Sequence, residues 1–395
     1  MNVTAVPFQA KANMLLYAAI LFLVEFVRGA FLISFLPAYG VHRLGLSTAG
    51  VGIAVSVHYV TDTLIKCGAG YLLDRFSLRL IAPIGLACSL AGLLMMLAAP
   101  ALWLLALAAA LFGVGISPVW LGGLSRVDSK RRASHMGVIY TCWLAGLGSG
   151  PVAINFLLDR SYTAAYWLMI GLWGAALVLS LWLGAAGQEQ VTGQLSLRRQ
   201  LSLLGERLRA MKALLPGMMM QTTAAGMLVP VMPGFAASNL GLSYSQYSLV
   251  LIAGGGLTML GLIPMGKLSD RFGKRWFIVL GYSAFALALF GLTLTRSLGM
   301  AVLVASVLGI SYAAVLPAWN AVLAQYVPKE QKGLGWGLFS SVEGIGVMIG
   351  PVLGGWIADR FSPAMSVLTS AGILGLLALY YLFVLFGALK LKMEA

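Results

Sequence analysis

Residues 70–79 read GYLLDRFSLR and residues 266–275 read GKLSDRFGKR, so one charged pattern occurs twice in the chain. Each copy lies between two long apolar runs and keeps a Gly, an Asp-Arg pair and a final basic residue in the same order. Two more pairs match: GPVAINFLLDR at 150–160 with GPVLGGWIADR at 350–360, and SPVW at 117–120 with LPAW at 316–319. The first residues of the paired stretches differ by 196, 200 and 199 positions. The second half of the chain therefore repeats the first half in the same topology.

The composition is that of a membrane protein. The 395-residue chain is 60% hydrophobic and 10% charged, whereas a soluble domain carries about 25% charged residues. Apolar runs of about 20 residues, each long enough to cross a bilayer as a helix, recur from end to end. We predict an all-α polytopic membrane protein with twelve transmembrane helices. The expected spans are approximately 13–39, 47–73, 78–98, 101–125, 133–158, 163–185, 213–238, 243–268, 275–295, 298–325, 333–358 and 364–388.

One long polar segment divides the spans into six and six. We expect an N-terminal six-helix bundle over 1–187, a cytoplasmic linker over 188–212 and a C-terminal six-helix bundle over 213–395. The Leu spacing of the linker predicts a basic amphipathic helix lying on the membrane surface. Parallel repeats of this kind, with a substrate site between the halves, are typical of transporters that work by alternating access.

Lys and Arg are unevenly distributed over the loops. With the N-terminus inside, the inner segments hold 20 of the 26 Lys and Arg residues and the outer loops hold four. Because cytoplasmic loops carry an excess of Lys and Arg, we expect both termini in the cytoplasm. The net charge of +14 then reflects basic loops that face the anionic inner leaflet of the cell membrane, and it requires no nucleic-acid partner.

With the loops and the loop-proximal ends of the spans set aside, a few charged residues lie inside the membrane, where each costs at least about 2.5–3.5 kcal/mol at mid-bilayer. They are Glu25, Arg28, Asp62, Lys66 and Glu343. Glu25 and Arg28 share a helix face at i,i+3, and His58, Asp62 and Lys66 share one at i,i+4 steps. We predict that Glu25, Arg28 and Asp62 face a cavity and couple transport to protons, with His58 and Lys66 as further substrate contacts. The alternative is a structural salt bridge between spans 1 and 2.

The C-terminal half is nearly free of such charges. Glu343 has no intrahelical partner, so we expect it to be either neutral in the resting state or an extra proton site. Span 7 is rich in Met, Leu, Val and Pro, and we expect Met227 and Val231 to lie on an apolar cavity wall. A cavity with one polar and one apolar wall suits an amphiphile, although Met-rich walls also suit binders of diverse drugs.

Two other groups of residues are candidates for function. Trp120 and Trp143 are candidates for stacking on sugar rings, as are Trp319 and Trp336, although Trp near a span end is often an interfacial anchor. The two charged loops supply a candidate gating motif of latches at the cytoplasmic side, formed by Gly70, Asp74, Arg75, Gly266, Asp270 and Arg271. We expect close helix packing at Gly146, Gly150 and Gly350, with Pro151 and Pro351 beside them.

The repeated G-x-x-x-D-R-x-x-x-[RK] loops resemble the signature of the major facilitator superfamily, and GLGSGP ending at Pro151 resembles the Gly-Pro motif of its antiporters. A narrower resemblance lies in FLVEFVRG, SVHYVTD, SPVW, YTCWLAGL and LPAWN, which in this order resemble the flippase family for the lipoteichoic-acid anchor of Gram-positive bacteria. That resemblance implies a proton-coupled antiporter that moves a diglucosyl-diacylglycerol from the inner to the outer leaflet.

The resemblance also implies roles for single residues. It places Glu25, Arg28 and Asp62 in the polar part of the cavity with a role in proton coupling, and Trp120 and Trp143 against the sugar headgroup. The chain departs from that family at Asp74, where a lysine is expected, and at Glu343, where an uncharged amide is expected. The main alternative on the same fold is a proton-coupled polyspecific drug efflux antiporter.

Enzyme functions find no support in the sequence. The chain has no G-x-S-x-G elbow, H-E-x-x-H motif or P-loop, and its three Cys residues have no disulfide or metal spacing. We expect a monomer that is not an enzyme, holds no cofactor or metal, and has protons, a lipid-linked disaccharide and membrane lipids as partners.

Overall fold

The computed structural model describes residues 8–96, 101–125, 132–183, 209, 211–326 and 332–386. The regular elements in these ranges are helices. They are α1 Phe8–Gly29, α2 Leu36–His42, α3 Thr48–Arg75, α4 Leu78–Met95, α5 Leu102–Val114, α6 Ile116–Ser125, α7 Arg132–Leu158, α8 Tyr162–Ser180, α9 Leu215–Leu240, α10 Tyr244–Phe272, α11 Lys274–Leu294, α12 Leu298–Ala324, α13 Lys332–Arg360 and α14 Pro363–Phe386.

These helices build the twelve predicted spans, so the predicted fold class is confirmed. Span 1 consists of α1, a π-helical stretch over Ala30–Phe35 and α2, and span 4 consists of α5 followed by α6. In the part of the chain that the structure describes, ten spans are long and apolar enough to cross a membrane. The other two, α3 and α9, are 28 and 26 residues long. The predicted linker helix over 188–212 lies almost entirely outside the described residues.

The chain divides into two compact units. The first contains Met1–Leu46 and Ile53–Val191, and the second contains Ser47–Gly52 and Thr192–Ala395. Ser47 and the first five residues of α3, Thr48–Gly52, belong to the second unit, where they contact α13. The Asp359 carboxylate accepts hydrogen bonds from the amides of Thr48 at 2.8 Å and Ala49 at 2.7 Å. A carboxylate at a helix N-terminus satisfies amides that have no partner inside the helix.

Paired glycines bring helices into backbone contact in each unit. An added Cβ at Gly146 of α7 would lie 2.6 Å from the carbonyl oxygen of Phe22 on α1, and one at Gly150 would meet the Phe26 carbonyl. In the second unit, an added Cβ at Gly350 of α13 would lie 2.5 Å from the Thr223 carbonyl oxygen on α9. Small residues four apart allow this approach. The predicted close packing at these glycines is confirmed.

The prediction that Met227 and Val231 form an open apolar wall is wrong. Both side chains are 1% exposed, and Val231 packs in the hydrophobic core of the second unit with Phe235 and Ile278. The backbone of Met227 lies against Gly354 of α13. These apolar residues are buried because they stabilise the bundle itself, so the Met and Val content of α9 does not identify a lipid-facing wall.

Candidate functional site

Four charged side chains of α1 and α3 form one connected cluster in the first unit. Arg28 lies one helical turn beyond Glu25, and its Nη1 is 3.4 Å from Glu25 Oε2. The Nη2 atom of Arg28 is 3.5 Å from Asp62 Oδ2 on α3. Lys66, one turn further along α3, places Nζ 2.7 Å from the same oxygen. We call Glu25, Arg28, Asp62 and Lys66 the four-charge cluster.

The carboxylates of the cluster are buried, whereas its cations reach outward. Glu25 is 1% exposed, and the Asp62 side chain is 2% exposed. The side chains of Arg28 and Lys66 are 13% and 35% exposed. Two acidic and two basic groups cancel in formal charge, which lowers the cost of placing them within a membrane span.

Neighbouring polar groups complete the surroundings of Asp62 and Arg28. The Ser117 hydroxyl of α6 lies 2.8 Å from the Asp62 backbone carbonyl oxygen and also donates to Asp62 Oδ1. The guanidinium of Arg28 lies over the Tyr59 ring, 5.7 Å from its centroid. In the described residues, Arg28 Nε is buried and has no hydrogen-bond partner. The cluster therefore retains one unused donor beside two carboxylates.

His58 lies on the same helix but points into the bundle. It is fully buried, and its Nδ1 is 3.3 Å from the Ala109 carbonyl oxygen of α5. Its ring packs against Phe112, with centroids 5.2 Å apart. The structure thus separates His58 from the exposed side of the cluster, where Lys66 lies.

Three aromatic side chains of α6 and α7 form a second feature of the first unit. The rings of Trp120 and Trp143 lie 5.9 Å apart, and Tyr140 makes edge contacts with Trp120 at 5.5 Å and with Trp143 at 6.3 Å. Tyr140 is exposed, and the two Trp rings are partly exposed. Sugar rings bind well to such aromatic faces, which are large, amphipathic and only partly covered. We call Trp120, Tyr140 and Trp143 the aromatic trio.

Sequence reasoning missed two residues of this region, Tyr59 and Tyr140. Each had a positional signal: Tyr140 lies one turn before Trp143, and Tyr59 lies one turn before Asp62. Side chains three apart on a helix share a face, so a search around each candidate residue would have found both.

The gating-motif residues are described only in part. Gly70, Asp74 and Arg75 lie in the last turns of α3, and their side chains are outside the described part of the structure. In α10, Asp270 pairs with Lys274 at 3.5 Å, and the Arg271 guanidinium lies 5.3 Å from the Phe272 ring centroid. Gly266 lies one turn earlier in the same helix. The described contacts of Asp270 and Arg271 are with nearby residues, and the latch role remains a prediction.

Glu343 occupies a polar site in the second unit. Gln221 Nε2 of α9 donates to Glu343 Oε1 at 3.2 Å, and the Trp319 indole of α12 donates to the same oxygen at 3.5 Å. Trp319 is 2% exposed, so its indole donates a hydrogen bond to the carboxylate and has no free face on which a sugar ring could stack. The Trp336 side chain lies outside the described part of the chain.

No group of three or more His, Cys, Asp or Glu side chains in the described residues is placed to hold a metal ion. Cys88 and Cys142 are both free thiols.

Comparison with known proteins identifies the family. The model of the Major Facilitator Superfamily matches residues 17–215 and again residues 214–392. The chain therefore belongs to the major facilitator superfamily, whose members are membrane transporters, and the double match coincides with the internal repeat.

The chain is also similar to individual named proteins within this superfamily. The chain is 29% identical over 359 residues to the proton-coupled antiporter flippase LtaA of Staphylococcus saprophyticus, covering 89% of each protein. It is 29% identical over 375 residues to the protein of the same name from Staphylococcus haemolyticus, covering 93% of each. Among solved structures, the nucleoside transporter NupG has a TM-score of 0.74 at 16% identity, covering 94% of this chain and 98% of NupG. A bacterial homologue of the human lysosomal transporter Spinster has a TM-score of 0.78 at 16% identity, covering 99% of this chain and all of that one. These two structures support the fold alone.

Proposed function

We propose that this protein is a proton-coupled antiporter that flips a glycolipid from the inner to the outer leaflet of the cell membrane by alternating access. The observation that carries the proposal is the four-charge cluster, in which Arg28 joins Glu25 to Asp62 at 3.4 and 3.5 Å. The relatives whose names specify proton-coupled antiport and flipping favour this function over drug efflux.

Glu25 and Asp62 are the proposed proton-accepting groups. Because Arg28 contacts both carboxylates, any movement that withdraws its guanidinium leaves two buried carboxylates close together with only Lys66 to offset them. One proton shared by the two carboxylates would then relieve their repulsion, and they would titrate as a coupled unit. Return of Arg28 would favour release of that proton. This cycle links the position of one side chain to proton binding.

The aromatic trio is the proposed contact for the sugar headgroup. Trp120 and Trp143 present partly exposed rings in the same unit as the cluster. The partly exposed Lys66 side chain can donate further hydrogen bonds to sugar hydroxyls. The headgroup proposed here is a disaccharide linked to diacylglycerol. The uneven distribution of Lys and Arg supports cytoplasmic termini, and we propose a monomer as the working unit.

The substrate class is tested by transport in proteoliposomes. The purified full chain is reconstituted with a fluorescent diglucosyl-diacylglycerol, and the accessible fraction of the label is followed with a membrane-impermeant quencher. We expect flipping of the glycolipid and no flipping of labelled phosphatidylglycerol. Transport of several unrelated cationic drugs, without glycolipid flipping, would instead establish the drug efflux function.

A further inference from the structure

The Glu343 carboxylate is held entirely by neutral donors. Gln221 Nε2 at 3.2 Å and Trp319 Nε1 at 3.5 Å both reach Oε1. Tyr282 in turn donates to Gln221 Oε1, which fixes the amide with its nitrogen towards Glu343. Within the described residues, the second carboxylate oxygen, Oε2, has no hydrogen-bond partner. Glu343 itself is only partly buried, so a proton or a polar group has access to this oxygen.

In the described part of the structure, the helices around Glu343 place no charge of opposite sign near its carboxylate. The sequences of α9, α12 and α14 contain no Asp, Glu, Lys or Arg, and in α11 the basic residues are confined to the first two positions. The titratable side chains near the carboxylate are phenols, those of Tyr282, Tyr312 and Tyr381. In the four-charge cluster, by contrast, two cations offset two carboxylates. An ionised Glu343 has no such compensation, and a single proton removes its whole charge.

In the internal repeat, Glu343 lies at the position that a tryptophan occupies in the first half. In the GLGSGP and GVMIGP segments, Gly146 and Gly150 correspond to Gly346 and Gly350, so Glu343 corresponds to Trp143. Likewise Trp319 corresponds to Trp120. The first unit has two Trp rings 5.9 Å apart at these positions, and the second has a Trp that donates to a carboxylate. The same α-helical face thus carries an aromatic contact in one unit and an ionisable group in the other.

We propose that Glu343, held by Gln221 and Trp319, is a second proton-binding site that works separately from the four-charge cluster. A proton from the aqueous phase binds to a lone pair of Oε2 and gives the neutral acid, and its release restores the carboxylate. No other bond forms or breaks. The inference takes from the proposed function only that protons are transported, and titration of Glu343 can be measured without transport.

The indole of Trp319 is a built-in reporter of this titration. The full chain in detergent is titrated between acidic and alkaline pH, and tryptophan emission of Trp319→Phe is subtracted from that of the wild type. We expect a sigmoidal change in the difference signal, because a charge appears beside the indole when Glu343 ionises. The change should be lost in Glu343→Gln, whose amide oxygen still accepts the two hydrogen bonds. It should remain in Asp159→Asn, a matched removal of an exposed carboxylate in the first unit.

A pH-independent difference signal in the wild type, or a signal that survives in Glu343→Gln, would overturn the proposal. Where Glu343→Gln fails to fold, Glu343→Asp provides the test. Its carboxylate is shorter and sits differently against the two donors, so the midpoint of the titration should change. An unaltered midpoint contradicts the proposal. Failure of the wild type to flip glycolipid would overturn the proposed function and leave this titration unaffected.

Discussion

At the scale of single residues, Arg28 is the centre of the site because it contacts one carboxylate on its own helix and one on α3. The pair Glu25 and Arg28 was predictable from i,i+3 spacing, and so was the step from Asp62 to Lys66. The contact between Arg28 and Asp62 has no spacing signal, since it joins residues 34 positions apart and depends on how α1 and α3 pack. The sequence offered it only as the alternative of a salt bridge between spans 1 and 2. Gln221 was missed because an amide in a Thr- and Met-rich helix carries no periodic signal.

Removal of one charge at a time should separate mechanism from stability. Glu25→Gln should abolish the response of flipping to pH with little loss of stability, because the ion pair between Arg28 and Asp62 remains. Arg28→Ala leaves two carboxylates with one cation, and loss of one partner of a buried pair costs about 3–5 kcal/mol, so it should also lower the melting temperature clearly. Transport and thermal unfolding are measured on the same preparations. Equal destabilisation by both changes would indicate a purely structural salt bridge.

The swap Glu25→Arg with Arg28→Glu provides the matched control for charge. It keeps a salt bridge on α1 but places the carboxylate where the guanidinium now meets Asp62. We expect the swapped protein to fold and to remain inactive in proton-driven flipping. Full recovery of activity would contradict the proposed roles.

The aromatic trio should contribute to binding of the headgroup. Stacking contacts are worth about 0.5–1.5 kcal/mol, so Trp143→Leu should raise the KM for glycolipid by about 2- to 10-fold with a smaller effect on kcat. Trp103→Leu is the control, because Trp103 is 69% exposed in α5 and outside the trio. An equal effect of the two substitutions would remove the trio from the binding site.

At the scale of elements, the repeated glycines explain why α7 packs on α1 and α13 packs on α9. The spacing of Gly146 and Gly150 and the offset to Gly350 made these contacts predictable from sequence. The π-helical stretch over Ala30–Phe35 was not predictable, because the apolar pattern of span 1 is the same for α- and π-helical turns. The burial of Met227 and Val231 was also not predictable, because sequence alone does not show which face of a nearly uniformly apolar helix packs in the core.

Gly150→Ala and Gly148→Ala form a matched pair in one helix. A Cβ at Gly150 would clash with the Phe26 carbonyl, whereas one at Gly148 has nothing within 4 Å. Gly150→Ala should therefore destabilise the protein by about 1–3 kcal/mol, and Gly148→Ala should be neutral or slightly stabilising because Ala favours the helix. Thermal unfolding in detergent checks both. Equal melting temperatures would mean that α7 does not need its close approach to α1.

At the scale of the whole molecule, the repeat gives two units with the same helix packing but different chemistry. The first unit has a balanced set of four charges and an aromatic trio, and the second has one carboxylate among neutral donors. Composition and the apolar runs were sufficient to predict twelve spans, and the repeated loop motifs carried the resemblance to the family. They could not supply the neutral donors to Glu343, which are Gln221 and Trp319 on two different helices.

We propose that a proton gradient drives glycolipid flipping through the four-charge cluster. The most direct measurement is the initial rate of glycolipid flipping in proteoliposomes, with and without an imposed pH gradient, for the wild type and Glu25→Gln at equal protein density. We expect the gradient to accelerate flipping by the wild type and to leave the flipping rate of Glu25→Gln unchanged. A wild-type flipping rate that is the same with and without the gradient, or a full acceleration by the gradient in Glu25→Gln, would contradict this mechanism.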